Sequence, residues 1–244
     1  MSDSTTRFGV RAGDYALYRP SYPREAVAAV LQGFSAPDVA DVGAGTGISS
    51  VLLAEAGAHV FAVEPNANMR ASIVSRADIV VVDGTAEATK LPDHSVDIVA
   101  AFQAYHWFDA NRVLNEAVRI GRMRVRYAAV WNERDEVDAF TGAYSEIIRR
   151  YVLDDTEMRR QNTTVDSDLR AHGWSDVRVL EFRHAVAADW EALLGRARSS
   201  SYLPREGPAY EAMAAELRAL YDRAGEFGGA RFALVTRVHL GERQ

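Results

Sequence analysis

The chain has 244 residues, 48% of them hydrophobic and 25% charged, enough to bury one sizeable core, so a single domain over residues 1–244 is expected. Its net charge of −6 removes any general attraction to nucleic acid or an anionic membrane, and the clearest basic run, "RIGRMRVR" (Arg119 to Arg126), reads as a solvated helix end and turn. The absence of cysteine excludes disulfides, thiolate zinc sites and cysteine nucleophiles.

The six histidines are scattered without metal-ligand spacing, so no metal is expected. The N-terminal "MSDSTTRFGV" lacks the charged-then-apolar pattern of a signal peptide, and no apolar run is long enough to span a bilayer. A soluble cytoplasmic protein is the expectation, with a small molecule as its partner and no nucleic acid or membrane.

In chain order, "PREAVAAVLQGF" (Pro23 to Phe34) has apolar residues at helical spacing after a proline and reads as a helix ending at Gly33. "DVADVG" (Asp38 to Gly43) is a short strand entering a glycine loop. "ISSVLLAEAG" is a helix closed by Gly57, and "AHVFAVEP" a second strand closed by Pro65. Strand, glycine turn, helix and strand make the opening βαβ unit of a doubly wound sheet. "ADIVVVDG" and "SVDIVAAFQ" are the third and fourth strands, "ANRVLNEAVRIG" a helix, and "RYAAVWN" the fifth strand.

After Asn132 the rhythm changes, because "EVDAFTGAYSEIIRRYVLDD" reads as a long helical segment. "VRVLEFRHAVA" and "ARFALVTRVHL" are the sixth and seventh strands, separated by helical "ADWEALLGRARSSSYL" and "GPAYEAMAAELRALYDRAG". The fold class is α/β: a doubly wound, mostly parallel, Rossmann-like seven-stranded sheet with helices on both faces. Residues 133–175 and 188–230 are expected to be helical covers over the active site.

The dinucleotide fingerprint is G-x-G-x-x-G, but "DVGAGTGISS" has Gly43, Gly45 and Gly47, and Ile48 where that fingerprint needs its third glycine. Asp41 ends the strand beside this loop, where an anion would repel a diphosphate and attract a cationic ligand. Glu64, at the end of the second strand, is placed to accept from both hydroxyls of a ribose. "DGTAE" (Asp83 to Glu87) ends the third strand where an adenine could lie, with Thr85 and the Ala86 backbone at its edge. S-adenosyl-L-methionine combines a ribose, an adenine, a sulfonium and an amino acid end.

Asp-x-Gly-x-Gly-x-Gly at the loop, the acid after the second strand, Gly-x-Ala-Glu followed by Leu-Pro-Asp and Ser-Val-Asp, and His-Trp-Phe-Asp after the fourth strand resemble the class I S-adenosylmethionine-dependent methyltransferases. "YALYRPSYP" and "AYHWFD" are similar to the small-molecule branch that includes trans-aconitate methyltransferases. The resemblance covers roughly the first 135 residues.

It implies that Asp41, Gly43, Ala44 and Gly45 line the methionine end and that Glu64 binds the ribose. It further implies that Thr85 and Ala86 flank adenine, that Phe102 and Gln103 sit beneath the sulfonium, and that Arg19 approaches the cofactor carboxylate. Two departures are visible: Thr85 stands where many relatives have aspartate, and the usual glycine pair before the fifth strand is absent. Arg19 and Thr85 can equally be a surface residue and a turn residue.

Methyl transfer from a sulfonium is an in-line displacement that demands alignment and desolvation; a carboxylate acceptor needs no base, whereas a hydroxyl benefits from one. His106, in "FQAYHWFDANR", is the histidine at the carboxyl edge of the sheet, and is either a base or hydrogen-bond donor to substrate or part of a small aromatic core. Trp107 is either packing or an aromatic wall, and Tyr22, Trp131 and Tyr202 are further candidate walls for a partly apolar acceptor of modest size. The expected function is methylation of an oxygen, carboxylate or hydroxyl, on a small metabolite. The alternatives are S-adenosylmethionine binding without methyl transfer, including catalysis of a rearrangement, and a nicotinamide-dependent oxidoreductase.

Overall fold

The run "DVADV" carries apolar residues toward both faces, and in the computed structural model it forms β1 (Asp38–Val42), with Val39, Ala40 and Val42 fully buried. The structure describes residues 21–153, 164–200, 202–225 and 229–244. Beside β1 lie β2 (His59–Val63) and β3 (Ile79–Val82) on one side, and β4 (Val96–Phe102) and β5 (Gly121–Arg134) on the other. These five strands are parallel. β6 (Ser175–Ala187) and β7 (Arg231–Arg243) complete the order β3-β2-β1-β4-β5-β7-β6, and β7 runs antiparallel between β5 and β6. The expected seven-stranded, mostly parallel sheet is present.

The chain leaves β1 for β2 on one side and returns to β4 on the other, which makes the carboxyl ends of β1 and β4 the topological switch point, where doubly wound sheets open a crevice. On one face of the sheet, α1 (Arg24–Leu31) and α2 (Ile48–Glu55) bury Val27, Val30 and Leu53 against Val39, Val60 and Ile98. On the other, α4 (Ala110–Ile120) and α6 (Val165–Ala171) bury Leu114, Ile120 and Leu169 against Ala40, Val99 and Tyr127. The one-turn α3 (Ala67–Arg70) follows β2 and is capped by Asn66, whose side chain accepts from the amides of Asn68 and Met69.

α5 (Ala139–Arg150), α7 (Trp190–Ser199) and α8 (Gly207–Gly225) form a third apolar cluster, with Tyr144, Ile148, Leu193, Met213 and Leu217 packed on Phe232 and Leu234 at the start of β7. Aspartates cap two of these helices: Asp138 accepts from the amide of Thr141 and Asp189 from that of Ala192. Of the segments expected to be covers, 133–175 holds α5 and α6, and α6 packs against the sheet face shared with α4. Segment 188–230 holds α7 and α8.

The basic run is where the elements depart most from expectation. β5 begins at Gly121 rather than Arg126, and its ladder with β4 shifts between Val96 and Ile98. Carboxylates hold the arginines there: Arg119 lies on Glu116 and Asp93, and Arg122 on Asp38 and Asp97. Arg126 is buried, pairing with Glu242 at 2.5 Å and donating to the carbonyls of Val30 and Gln32. This stretch is therefore a strand entry stitched by ion pairs, and Arg126 is core rather than solvated.

Candidate functional site

The glycine loop leaves β1 in a left-handed path, with φ of 70° at Gly43, 59° at Gly45 and 86° at Gly47, a conformation that costs a residue with a Cβ about 1–2 kcal/mol. The amides of Gly43 and Ala44 donate to the Val63 carbonyl at 2.9 and 3.2 Å, tying the loop to the end of β2. A Cβ on Gly43 would come within 2.9 Å of Ala104 Cβ and 3.1 Å of Phe108 Cζ, whereas one on Gly45 would meet nothing within 4 Å. Gly43 is thus needed for close packing, and Gly45 faces open space.

Two acids lie behind this loop. Asp41 is fully buried; the hydroxyls of Ser49 and Ser50 donate to its Oδ2 at 2.7 and 2.6 Å, while its Oδ1 has no hydrogen-bond partner among the described residues. Burial pushes its carboxyl up to about 6, the two hydroxyls pull against that rise, and the nearby Glu64 charge adds to it. Glu64 is 6% exposed, and its Oε2 accepts the Gly45 amide at 2.9 Å while Oε1 accepts the Asn66 amide at 2.8 Å. Burial raises the Glu64 carboxyl above its ordinary value, against the lowering effect of those amides and of Arg70.

A cavity of about 500 Å³ opens beyond the carboxyl ends of β1, β4 and β5. One side is the loop from Gly43 to Thr46 with Ile48 and Ser49 of α2. Phe102 and Gln103 end β4 beneath it, and Tyr22 packs edge-on to Phe102 with ring centroids 4.9 Å apart. Gln103 has a φ of 55°, and its side chain donates to the Asn132 carbonyl at 3.0 Å; such a left-handed residue at a ligand crevice is a mark of a functional turn. Trp131 adds an aromatic wall, held edge-on by Tyr105 and His239.

The opposite side is charged. β5 extends beyond its expected end and contributes Glu133 and Arg134, β7 contributes Arg237, α5 contributes Tyr144 and Ile148, and α7 contributes Arg196. Tyr202 lies on the same rim.

The cavity therefore brings together Tyr22, Gly43, Ala44, Gly45, Phe102, Gln103, Trp131 and Tyr202 from among the residues singled out in the sequence. Asp41 and Glu64 sit behind the loop rather than in the lining, and Arg19 lies outside the described residues. Thr85 is exposed in a tight turn, exchanging backbone hydrogen bonds with Ala88 at 3.1 and 3.2 Å, and Ala86 is buried in the core beside α4. His106 and Trp107 belong to a 3-10 turn, Tyr105–Trp107, with their rings 4.9 Å apart; neither is in the cavity lining. Glu133, Arg134, Glu136, Tyr144, Arg196 and Arg237 were not anticipated, because they are far apart in sequence and share no spacing that marks a site.

Residues 40–126, which contain the loop, both acids and β4, match the methyltransferase domain family. Over those residues the chain is similar to a methyltransferase domain. An uncharacterized methyltransferase of Mycobacterium tuberculosis is 41% identical over 152 residues, 61% of this chain and 61% of that protein, so the match spans less than two thirds of either. A methyltransferase-like protein of Schizosaccharomyces pombe is 30% identical over 154 residues, 60% of this chain and 59% of that one.

Among solved structures, a candidate type II methyltransferase from Anaeromyxobacter dehalogenans has a TM-score of 0.62 at 24% identity, covering 93% of this chain and 98% of its own. The phosphoethanolamine N-methyltransferase 2 of Haemonchus contortus, solved with phosphomonomethylethanolamine and S-adenosylhomocysteine, has a TM-score of 0.53 at 14% identity, covering 98% of this chain and 57% of its own. At these identities the two structures speak for the fold, the class I methyltransferase architecture. Among the described residues, no helix is long and apolar enough to cross a membrane.

Proposed function

We propose that this protein transfers the methyl group of S-adenosylmethionine to an oxygen, carboxylate or hydroxyl, of a small-molecule acceptor. The observation that carries the cofactor is Glu64: a buried carboxylate at the end of β2, bonded to the middle of the glycine loop. Each of its oxygens accepts one backbone amide and has lone pairs left for the two hydroxyls of a ribose. The open space before Gly45 and the buried anion of Asp41 behind the loop suit a cationic amino acid end better than a diphosphate.

When bound, the cofactor supplies an electrophilic methyl: the acceptor's oxygen lone pair forms the new C–O bond as the C–S bond breaks and its electron pair stays on sulfur. The chain's own part is alignment and exclusion of water. The Gln103 turn fixes the floor of the cavity, and Tyr22, Phe102 and Trp131 line it with aromatic rings, a residue type suited to a sulfonium. The lining contains no histidine among the described residues, which favours a carboxylate over a hydroxyl, since a carboxylate needs no base.

A cavity of about 500 Å³ supports a small acceptor rather than a macromolecule. Its charged wall supports a polar acceptor in place of the partly apolar one suggested by the aromatic residues. The test is release of S-adenosylhomocysteine from S-adenosylmethionine across a panel of small carboxylates, alcohols and phenols. Release with an oxygen acceptor is expected; cofactor binding with no release across the panel would instead favour a binder or a rearrangement catalyst.

A further inference from the structure

Five charged side chains line one wall of the cavity: Glu133, Arg134, Glu136, Arg196 and Arg237. Both acids are already engaged, Glu133 by Arg237 and Glu136 by Arg149. Arg237 is shared further with Glu181 at 2.9 Å. Arg134 has no carboxylate partner among the described residues; its guanidinium carbon lies 5.6 Å from the centre of the Tyr144 ring. Arg196 enters the same wall from α7, 4.1 Å from the centre of the Phe232 ring.

Stacking on the Tyr144 ring leaves the five N–H donors of Arg134 for another partner. A half-buried guanidinium without a counter-ion is electrostatically costly, and the cavity is the side from which an anion could relieve that cost. Tyr144 senses both guanidiniums: burial pushes its phenol up to about 12 while Arg134 and Arg196 pull it down, so both act on one buried phenol of this wall.

We propose that this wall binds an anionic group of the methyl acceptor, a carboxylate or similar planar oxyanion, with Arg134 as the residue that selects it through two parallel N–H bonds. This rests on the reading that the cavity holds both S-adenosylmethionine and its acceptor. The guanidinium fixes the acceptor's distance from the glycine loop, and a neutral acceptor of the same shape leaves Arg134 unpaired at the cavity wall.

The test is thermal unfolding of the full chain saturated with S-adenosylhomocysteine, titrated with benzoate, succinate and their primary amides, for the wild type, Arg134→Gln and Arg134→Lys. The carboxylates are expected to raise the unfolding temperature of the wild type and the amides are not. Arg134→Gln is expected to abolish that shift with its S-adenosylhomocysteine affinity unchanged, and Arg134→Lys to retain part of it. Equal response to carboxylates and amides, no response to either, or a full response in Arg134→Gln would overturn the proposal. So would a tenfold loss of S-adenosylhomocysteine affinity in Arg134→Gln, since the guanidinium would then serve the cofactor. Failure of S-adenosylhomocysteine to stabilise the wild type is a different result, and counts against the proposed function itself.

Discussion

The Oε2 atom of Glu64 accepts the amide hydrogen of Gly45 at 2.9 Å, joining the end of β2 to the middle of the loop that ends β1. The other oxygen holds the Asn66 amide at the start of α3, so one buried carboxylate sets both the loop and the turn beyond β2. A charged acceptor with two backbone donors is pre-organised: it adds a ligand's hydroxyls without having to reorient.

The glycines of the loop should separate into a packing role and a binding role. Gly43→Ala adds a Cβ 2.9 Å from Ala104 Cβ at a φ of 70°, and should destabilise the fold by about 2–4 kcal/mol, combining left-handed strain with overpacking. Gly45→Ala meets no neighbour and should cost only about 1–2 kcal/mol of strain while weakening cofactor binding. Denaturant unfolding of both variants, with S-adenosylmethionine titrations, checks the ranking; equal destabilisation would refute it.

Asp41 makes the protein's stability depend on pH. Its native pKa, about 6, lies above the ordinary value of 3.8, so the native state holds this proton more tightly than the unfolded chain does. The stability it contributes is full below about pH 4, is lost as pH rises to about 6, and is then flat; the span corresponds to about 3 kcal/mol. Asp41→Asn mimics the protonated form and can still accept from Ser49 and Ser50. It should raise the unfolding temperature of the ligand-free protein at pH 7.5, with an advantage that vanishes near pH 4, and should weaken binding of the cationic cofactor. A difference from wild type that does not change with pH would contradict this.

His106 lies outside the cavity lining, beside Trp107 in the 3-10 turn. His106→Ala should therefore keep turnover of a carboxylate acceptor within about tenfold, whereas loss of a general base typically costs about 10²–10⁴-fold. The comparison is kcat for the two proteins at saturating acceptor. A hundredfold loss with unchanged folding would restore His106 as the base.

The glycine-loop side of the cavity was legible in the sequence because its parts are local. The run from Asp41 to Ser50 carries its own turn chemistry in three left-handed glycines, and Glu64 follows at the end of the next apolar strand. The first three strands were legible for the same reason, as short apolar runs closed by Gly43, Pro65 and Gly84. The charged wall was not. Arg134, Tyr144, Arg196 and Arg237 meet only because β7 pairs antiparallel with β5 and because α5 and α7 pack on Phe232. α6 was not distinguished as a separate helix within the expected cover 133–175, because "VDSDLRA" offers only two buried residues, Val165 and Leu169, in a polar segment. Arg126 looked solvated in sequence because its partners, Glu242 and the end of α1, are distant along the chain.

Glu64 and the glycine loop are proposed to form a seat for S-adenosylmethionine. Calorimetric titration of the full chain with S-adenosylmethionine, for the wild type, Glu64→Gln and Glu64→Ala, tests it most directly. Binding to one site per chain is predicted for the wild type, with affinity at least about 100-fold weaker in Glu64→Ala as two hydrogen bonds to a charged group are lost. No binding by the intact protein, or equal binding by wild type and a folded Glu64→Ala, would contradict the account.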